Sequence, residues 1–258
     1  MPELGVDLPA GYQLVSFPER PDLVTPSLRF NTSVWPEFML QDPVTDDHWQ
    51  LLWEAFGEFQ LTLLDPEGRI VATTNSAPLA WDGTDEGLPD GWAAQLRKTA
   101  ADLVAGTPPD TLGALQIVVD PDRRGDRLAG VMLQAMRANA LAHGFRAVIA
   151  CVRPTDKRRY ALAPIERYAH WTRPDGEPFD AWIRLHVRLG GRIVRAAPRS
   201  MTMRGTVADW ESWTGMAFPE TGSYVVPLAI STVAIDREAD LGTYFDPNVW
   251  IVHDLGLP

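Results

Sequence analysis

The stretch ALQIVVDPDRRGDRLAGVMLQAMRANALAHGF, residues 114–145, decides the fold class of this chain. It opens inside an apolar run, Leu112–Val119, that predicts a buried strand. A short polar turn, Asp120–Gly125, follows this strand. From Leu128 onward the apolar residues recur with the spacing of one helical face, and Gly144 is suited to close that helix. The stretch therefore predicts a strand, a turn and an amphipathic helix in succession.

A second buried strand is predicted directly after this helix, because Ala147–Val152 contains no polar residue. A strand, a helix and a strand of these lengths form a βαβ unit whose two strands are parallel. On either side of the unit, apolar spacing and turn residues predict further elements. These are helices over 45–56, 91–105 and 179–189, a loop over 75–89, and strands over 59–65, 70–74, 192–196, 201–207, 224–235 and 248–253. We expect an α/β (α+β) fold with a mixed sheet.

The bulk composition is that of a globular chain without covalent cross-links. Of its 258 residues, 45% are hydrophobic, which is enough for a sizeable core. The single cysteine, Cys151, excludes a disulfide within the chain and a cysteine-based zinc cluster, and its apolar strand predicts a buried side chain rather than a nucleophile. No apolar run reaches the roughly 18 residues that a membrane helix needs, and residues 1–13 do not resemble a signal peptide. We expect a cytoplasmic protein that binds no membrane.

The net charge of −11 is unevenly distributed along the sequence. Residues 1–110 carry −13, residues 111–204 carry +9 and residues 205–258 carry −7. Phosphate contacts supply most of the nonspecific affinity for nucleic acid, so an acidic chain is not expected to bind nucleic acid. A basic segment within an acidic protein instead suits a small polyanionic ligand.

The turn between the predicted strand and helix has the features of a phosphate site. Backbone N–H groups at the start of a helix lack partners, and the helix dipole favours an anion beside them. Arg123, Arg124 and Arg127 add positive charge at this point. The turn contains neither a Walker A sequence nor G-x-G-x-x-G. A different class of phosphate-containing ligand is therefore indicated, and a nucleotide-binding enzyme that uses the same turn stays open as a distant alternative.

The turn resembles the motif R/Q-x-x-G-x-G/A of the GNAT superfamily of acyl-CoA-dependent N-acetyltransferases. Arg124 fits its first position and Ala129 its last, whereas Arg127 stands where the family has its middle glycine. A glycine there would let the backbone approach the pyrophosphate closely. The resemblance implies that the strand pairs with the pantetheine arm and that the turn binds the pyrophosphate of acetyl-CoA or another acyl-CoA. The implied binding residues are Gln116, Ile117, Val118, Val119, Arg123, Arg124, Gly125, Asp126, Arg127, Leu128 and Ala129.

The order of predicted elements over about residues 45–200 also resembles this family. It implies a GNAT-like, mostly antiparallel twisted sheet flanked by helices around a βαβ acyl-CoA-binding core. A β-bulge in the strand before the turn is a frequent family feature that helps to bind the acyl carbonyl. The expected organisation is an irregular N-terminal arm over 1–40, with one strand near residues 12–17, and one domain over 41–258, with an insertion at 153–178 and C-terminal strands over 205–258.

A second block, WIRLHVRLGGRIV at residues 182–194, is similar to the family pattern A-x-x-L-Y-x-x-x-G-F. His186 stands where many members have a tyrosine that protonates the departing CoA thiolate, and an imidazolium can do the same work. Tyr160 and Tyr168 are the alternative acids. A packed structural histidine is the plainer interpretation of His186. In the insertion, Lys157, Arg158 and Arg159 either hold an anionic group or form a solvated basic loop.

The resemblance implies an N-acyltransferase that moves an acetyl or other short acyl group from CoA to an amine of a small molecule or peptide. A catalytically inactive acyl-CoA-binding or interaction protein on the same fold is the main alternative, because Arg127 and His186 depart from the family pattern. The histidines show no metal-binding spacing, so no metal is expected. Acidic residues at 54, 58 and 82 are candidates to receive the amine. Ten tryptophans leave a homodimer face or an aromatic acceptor site open.

Overall fold

One nine-stranded sheet organises the chain in the computed structural model, which describes residues 5–256. The strands are β1 (Gln13–Ser16), β2 (Leu61–Leu64), β3 (Ile70–Leu79), β4 (Thr111–Val119), β5 (Ala147–Val152), β6 (Arg192–Gly205), β7 (Gly222–Val225), β8 (Thr232–Asp236) and β9 (Leu241–Asp254). The α-helices are α1 (Val24–Thr32), α2 (Pro43–His48), α3 (Leu51–Glu54), α4 (Trp92–Ala105), α5 (Leu128–Ala142), α6 (Ile165–Tyr168), α7 (Ala181–Arg188) and α8 (Val207–Thr214).

The sheet is mixed and mostly antiparallel, as predicted. Its strand order is β1-β2-β3-β4-β5-β9-β8-β7, and β6 also pairs with β9. Only β4 and β5 run parallel within the described residues, and α5 connects them. This is the βαβ unit that the stretch 114–145 predicts.

The helices cover both faces of the sheet. One face carries α5 and α7. These helices are neighbours, and Arg137 Nη1 of α5 donates a hydrogen bond of 2.7 Å to the carbonyl of Leu189 after α7. On the other face α4 packs over β4, where Gln95 Nε2 donates to the Ala114 carbonyl at 3.2 Å. Burying apolar side chains between these layers stabilises the fold by about 25 cal/mol per Å² of apolar surface.

Several elements differ from the sequence-based expectations. The N-terminal arm contains the expected strand, as β1, but also the helix α1 within residues 5–40, while residues 1–4 lie outside the described part. β3 runs on to Leu79, through a segment predicted as loop. The predicted strands 192–196 and 201–207 are one irregular strand, β6. The predicted strand 224–235 is instead the β7–β8 hairpin.

The segment 153–178, which the sequence predicts to be an insertion, contains regular secondary structure. It contains a 3₁₀ turn at Asp156–Arg159 and the short helix α6. Among the described helices, none is long and apolar enough to cross a membrane.

Candidate functional site

A cleft opens in the middle of the sheet where β4 and β5 separate. The two strands pair from Thr111↔Ala147 to Ala114↔Ala150. Beyond this point β4 pairs only with β3, while Cys151 of β5 pairs with β9. One edge of β4 over residues 115–119 is therefore free, and a free strand edge presents N–H and C=O groups to an extended ligand. The predicted pantetheine contacts, Gln116–Val119, lie on this edge.

A β-bulge lies at the start of the free edge. Asn75 of β3 pairs with Gln116 and Ser76 pairs with Ala114, so Leu115 has no residue opposite it. The bulge turns the local backbone away from regular pairing and re-aims its polar groups. The Leu115 carbonyl is held from the other face by Trp92 Nε1 at 2.7 Å.

The turn after β4 leaves several backbone donors free. The Asp120 carboxylate accepts the Asp122 N–H at 3.0 Å and starts a 3₁₀ turn over Pro121–Arg123. Within the described residues, the N–H groups at Gly125, Leu128 and Ala129 have no hydrogen-bond partner. Together with the dipole of the 15-residue helix α5, these donors form a site suited to an anion.

The arginines that the sequence places at this turn are brought together around it. Arg124 and Arg127 are exposed, and neither has a carboxylate within 4.0 Å among residues 5–256. Arg123 lies 3.4 Å from Asp65, but that carboxylate is held more closely by Arg69 at 2.6 Å. At least two cations therefore border the free N–H groups without a protein counter-charge.

Arg127, which stands at the middle glycine of the motif that this turn resembles, has a backbone conformation that favours glycine. Its φ of 61° and ψ of 12° are left-handed, and it occupies the N-cap position of α5. A side chain in this conformation costs roughly 1–2 kcal/mol, a cost that glycine avoids. The turn therefore carries an exposed guanidinium at a position where glycine would be less strained.

His186 is buried on α7, with 2% of its surface exposed. Its Nδ1 lies 2.9 Å from Nε2 of His253 on β9, and its own Nε2 has no partner among the described residues. Burial, and secondarily the neighbouring His253, lowers the pKa of His186 to about 3. Burial likewise lowers the pKa of His253 to about 4. At neutral pH the pair is uncharged, so the protonated form that the predicted acid role needs is not the resting form.

The two candidate tyrosines lie in the insertion, within an aromatic cluster. Tyr160 is partly exposed and meets Trp171 edge-on at 5.1 Å between ring centroids. Tyr168 is buried, and its hydroxyl donates to Asp180 at 3.0 Å. Asp180 also caps α7. Burial, reinforced by this carboxylate, raises the pKa of Tyr168, which makes it a structural residue rather than an acid.

Lys157 is not available to hold an anionic ligand, in contrast to one sequence-based interpretation. Its ammonium is fully buried and donates to the carbonyls of Tyr160, Ala163 and Ile230 at 3.1, 2.6 and 2.9 Å. Burial lowers its pKa to about 8. The side chain ties the insertion to the loop before β8. Its neighbours at 158 and 159 are exposed.

The face of the sheet opposite α5 carries residues that the sequence reasoning missed. Trp92 and Gln95 of α4 reach the backbone of β4 at the point where the cleft begins. Trp49, partly buried, stacks on Trp92 with 5.9 Å between ring centroids. A signal was present in the sequence, because Gln95 is a polar residue on the apolar stripe of the helix over 91–105.

Two acidic residues that are candidates to receive the amine make other contacts, and the cysteine is not reactive. Asp82 accepts hydrogen bonds from Thr84, and Glu58 lies 3.4 Å from His143 beyond the end of α5. Cys151 is buried as predicted, and burial raises its pKa to about 12, so it is not a thiolate nucleophile.

Comparisons with known proteins agree with this geometry. No family model matches the chain. The chain is 35% identical, over an alignment of 284 residues, to the arginine N-acetyltransferase avaD of Aspergillus versicolor, with 98% of this chain and 97% of that protein covered. The fold is similar to the loading GNATL domain of CurA from Lyngbya majuscula (TM-score 0.61, 15% identity, covering 95% of this chain and 98% of that one). It is also similar to the GphF GNAT-like decarboxylase in complex with isobutyryl-CoA (TM-score 0.54, 19% identity, covering 95% of this chain and 98% of that one).

Proposed function

The chain belongs to the GNAT superfamily and is an N-acyltransferase that uses a CoA thioester, and from this premise we propose that it acetylates an amine of a small cationic acceptor related to arginine. The observation that carries the proposal is the separation of β4 and β5 directly beside an anion-binding turn. The relative that matches nearly the whole chain is an arginine N-acetyltransferase, which supports the choice of acceptor.

In this proposal the turn binds the pyrophosphate of acetyl-CoA. The free N–H groups at 125, 128 and 129 donate to phosphate oxygens, and Arg124 and Arg127 neutralise their charge. Arg123 and Asp126 complete the rim of the turn. The pantetheine arm then pairs with the free edge of β4 over Gln116–Val119, as an added strand.

The reaction is a direct transfer. The amine lone pair attacks the thioester carbonyl carbon, the C–S bond breaks with its electron pair moving to sulfur, and an amine proton leaves to water. The products are an amide and, once the thiolate takes up a proton, free CoA. We assign this last proton transfer to His186, which takes up a proton from water as the thiolate forms and passes it to the sulfur, with Tyr160 as the second candidate. A thiolate next to the buried His186 would raise the pKa of the imidazole, because an opposite charge favours its protonated form.

The acceptor approaches from the face opposite α5. Residues 1–110, which supply α1 to α4 on this face, carry a net charge of −13. Trp35, Trp49 and Trp53 are partly buried there and offer aromatic faces. Negative charge attracts a cation over distance, and aromatic faces bind it at contact. Both features favour a cationic amine over an acidic or neutral one.

Calorimetric titration with acetyl-CoA tests the donor site. We expect micromolar binding, weakened on the order of 10-fold to 100-fold by Arg124→Glu because a repulsive charge replaces a phosphate contact. Arg204→Glu, at an exposed position on β6, is the matched control and should leave binding unchanged.

Release of the CoA thiol in the presence of L-arginine or agmatine tests the transfer itself. Turnover with these cations but not with glutamate supports the acceptor class. Tight acetyl-CoA binding without thiol release for any amine would contradict the proposed acceptor and would favour the inactive binding protein.

A further inference from the structure

Gln95 is a fully buried side chain with one polar atom left unpartnered. Its Nε2 donates to the Ala114 carbonyl at 3.2 Å, but its Oε1 has no donor among the described residues. A buried acceptor without a donor destabilises the folded state, because its bond to water has been lost and not replaced. Apolar side chains such as Leu96 and Ala100 on the same helix face would avoid this cost.

The carboxamide lies over the point where the sheet opens. Ala114 is the last residue of β4 that pairs with β5, and the bulged Leu115 follows it. Gly113 makes the approach feasible, since a Cβ atom there would come closer to Gln95 Nε2 than van der Waals contact allows. One turn earlier, Trp92 holds the Leu115 carbonyl from the same side. The helix and the bulge thus place a free hydrogen-bond acceptor at the apex of the cleft, on the face opposite α5.

We propose that Gln95 Oε1 accepts an N–H of the attacking amine and aims its lone pair at the thioester carbonyl carbon. This assignment rests on the proposed acetyl transfer. As the new C–N bond forms, the nitrogen becomes positively charged and its N–H groups become stronger donors. A hydrogen bond to Oε1 therefore strengthens towards the transition state, which is the condition for it to accelerate the reaction. The proton lost afterwards still leaves to water, because an amide oxygen is too weak a base to keep it.

The test replaces Gln95 by methionine, which has a similar length and no polar atom that needs a partner. Three quantities are measured: the acetyl-CoA dissociation constant by calorimetry, kcat/KM for the amine by thiol release, and the melting temperature. We expect Gln95→Met to lower kcat/KM for the best amine on the order of 10-fold to 100-fold. The acetyl-CoA affinity should stay within about 2-fold, and the melting temperature should change little, because the lost bond from Nε2 to the Ala114 carbonyl is offset by removal of the unpartnered Oε1.

Thr99→Val is the matched control. Thr99 is also buried on α4 with an unpartnered hydroxyl, but it lies one turn further along the helix, about 6 Å away from Gln95. Its substitution should leave kcat/KM and the acetyl-CoA affinity unchanged, with a melting temperature that is unchanged or higher.

The outcomes separate this inference from the function on which it rests. A Gln95→Met enzyme as active as the wild type would overturn the role of Gln95 and leave acetyl transfer standing. Parallel losses of acetyl-CoA affinity and melting temperature in Gln95→Met would also overturn it, since they indicate a purely structural side chain. A wild type that turns over no amine in a broad panel would overturn both proposals together.

Discussion

Arg127 and His186 occupy the two motif positions where this chain carries a residue unlike the family pattern. The backbone of Arg127 is left-handed, a conformation that glycine adopts without steric cost. His186 is buried beside His253 and has one free nitrogen, Nε2. The first difference adds charge at the turn, and the second places a buried, uncharged histidine on α7.

Substitution of His186 separates catalysis from binding. His186→Gln retains an amide that can bond to His253, but it cannot deliver a proton. We expect kcat to fall about 100-fold or more, as is typical when a general acid is removed, while the acetyl-CoA dissociation constant changes less than about 3-fold. The measurement is steady-state thiol release alongside calorimetry. His170→Gln, at an exposed histidine, serves as the control. Equal losses in both quantities, or no loss at all, would remove His186 from the mechanism.

Local sequence was sufficient to place some candidate site residues in the fold and insufficient for others. The position of Arg124 and Gly125 at a turn between a strand and a helix could be predicted because the turn, its charges and the following helix are contiguous in sequence. Gln95 could not be placed at the cleft, because α4 meets β4 only through tertiary packing. Lys157 was misinterpreted for the same reason, since one of the three carbonyls that bind it belongs to Ile230, far away in sequence.

At the level of elements, the start of α5 stores conformational strain. Arg127→Gly should stabilise the protein by about 1 kcal/mol, because glycine adopts a positive φ without steric cost. Ala129→Gly, placed inside the first turn of the helix, should destabilise it by about 0.5–1 kcal/mol. Denaturant unfolding of both variants measures these changes. A destabilised Arg127→Gly protein would show that the guanidinium supports the fold through contacts that outweigh the strain.

Elements whose apolar residues follow one clear period were predicted well. Elements that contain buried polar residues, or a connection without typical turn residues, were not. The βαβ unit follows from two uninterrupted apolar runs and one helical stripe. β3 was cut short because Asn75 and Ser76 resemble loop residues, yet both are buried and bonded to Gln60. The β7–β8 hairpin was taken as one strand because its connection contains no glycine or asparagine, and Leu228 adopts the positive φ of 68° instead.

Across the whole molecule, opposite net charges lie in the segments that are proposed to bind the two substrates. The basic segment 111–204 contains the turn that is proposed to bind CoA, and the acidic segment 1–110 supplies the helices of the other face. Such an arrangement can raise the local concentration of an anion at one site and of a cation at the other. It also keeps the two binding events from competing for one charged surface.

This distribution predicts a salt dependence that differs between ligands. Raising the ionic strength from 0.05 M to 0.5 M should weaken acetyl-CoA binding several-fold. The reason is that dissolved salt screens the attraction between the arginines at the turn and the phosphates of CoA. S-acetyl-pantetheine, which lacks the phosphates, is the control and should bind with nearly the same affinity at both concentrations. Calorimetry at the two ionic strengths measures the difference. An equal response of the two ligands would mean that the basic segment does not select the anion.

The short pairing of β4 with β5 has a mechanical consequence. Only four residue pairs join these two strands, so the sheet is two antiparallel halves that meet along a brief parallel seam. A pantetheine arm lying along the free edge would lengthen that seam with its own amides. The bound donor molecule would then bridge the two halves of the sheet while the acyl group is transferred. This bridge would be lost when free CoA dissociates.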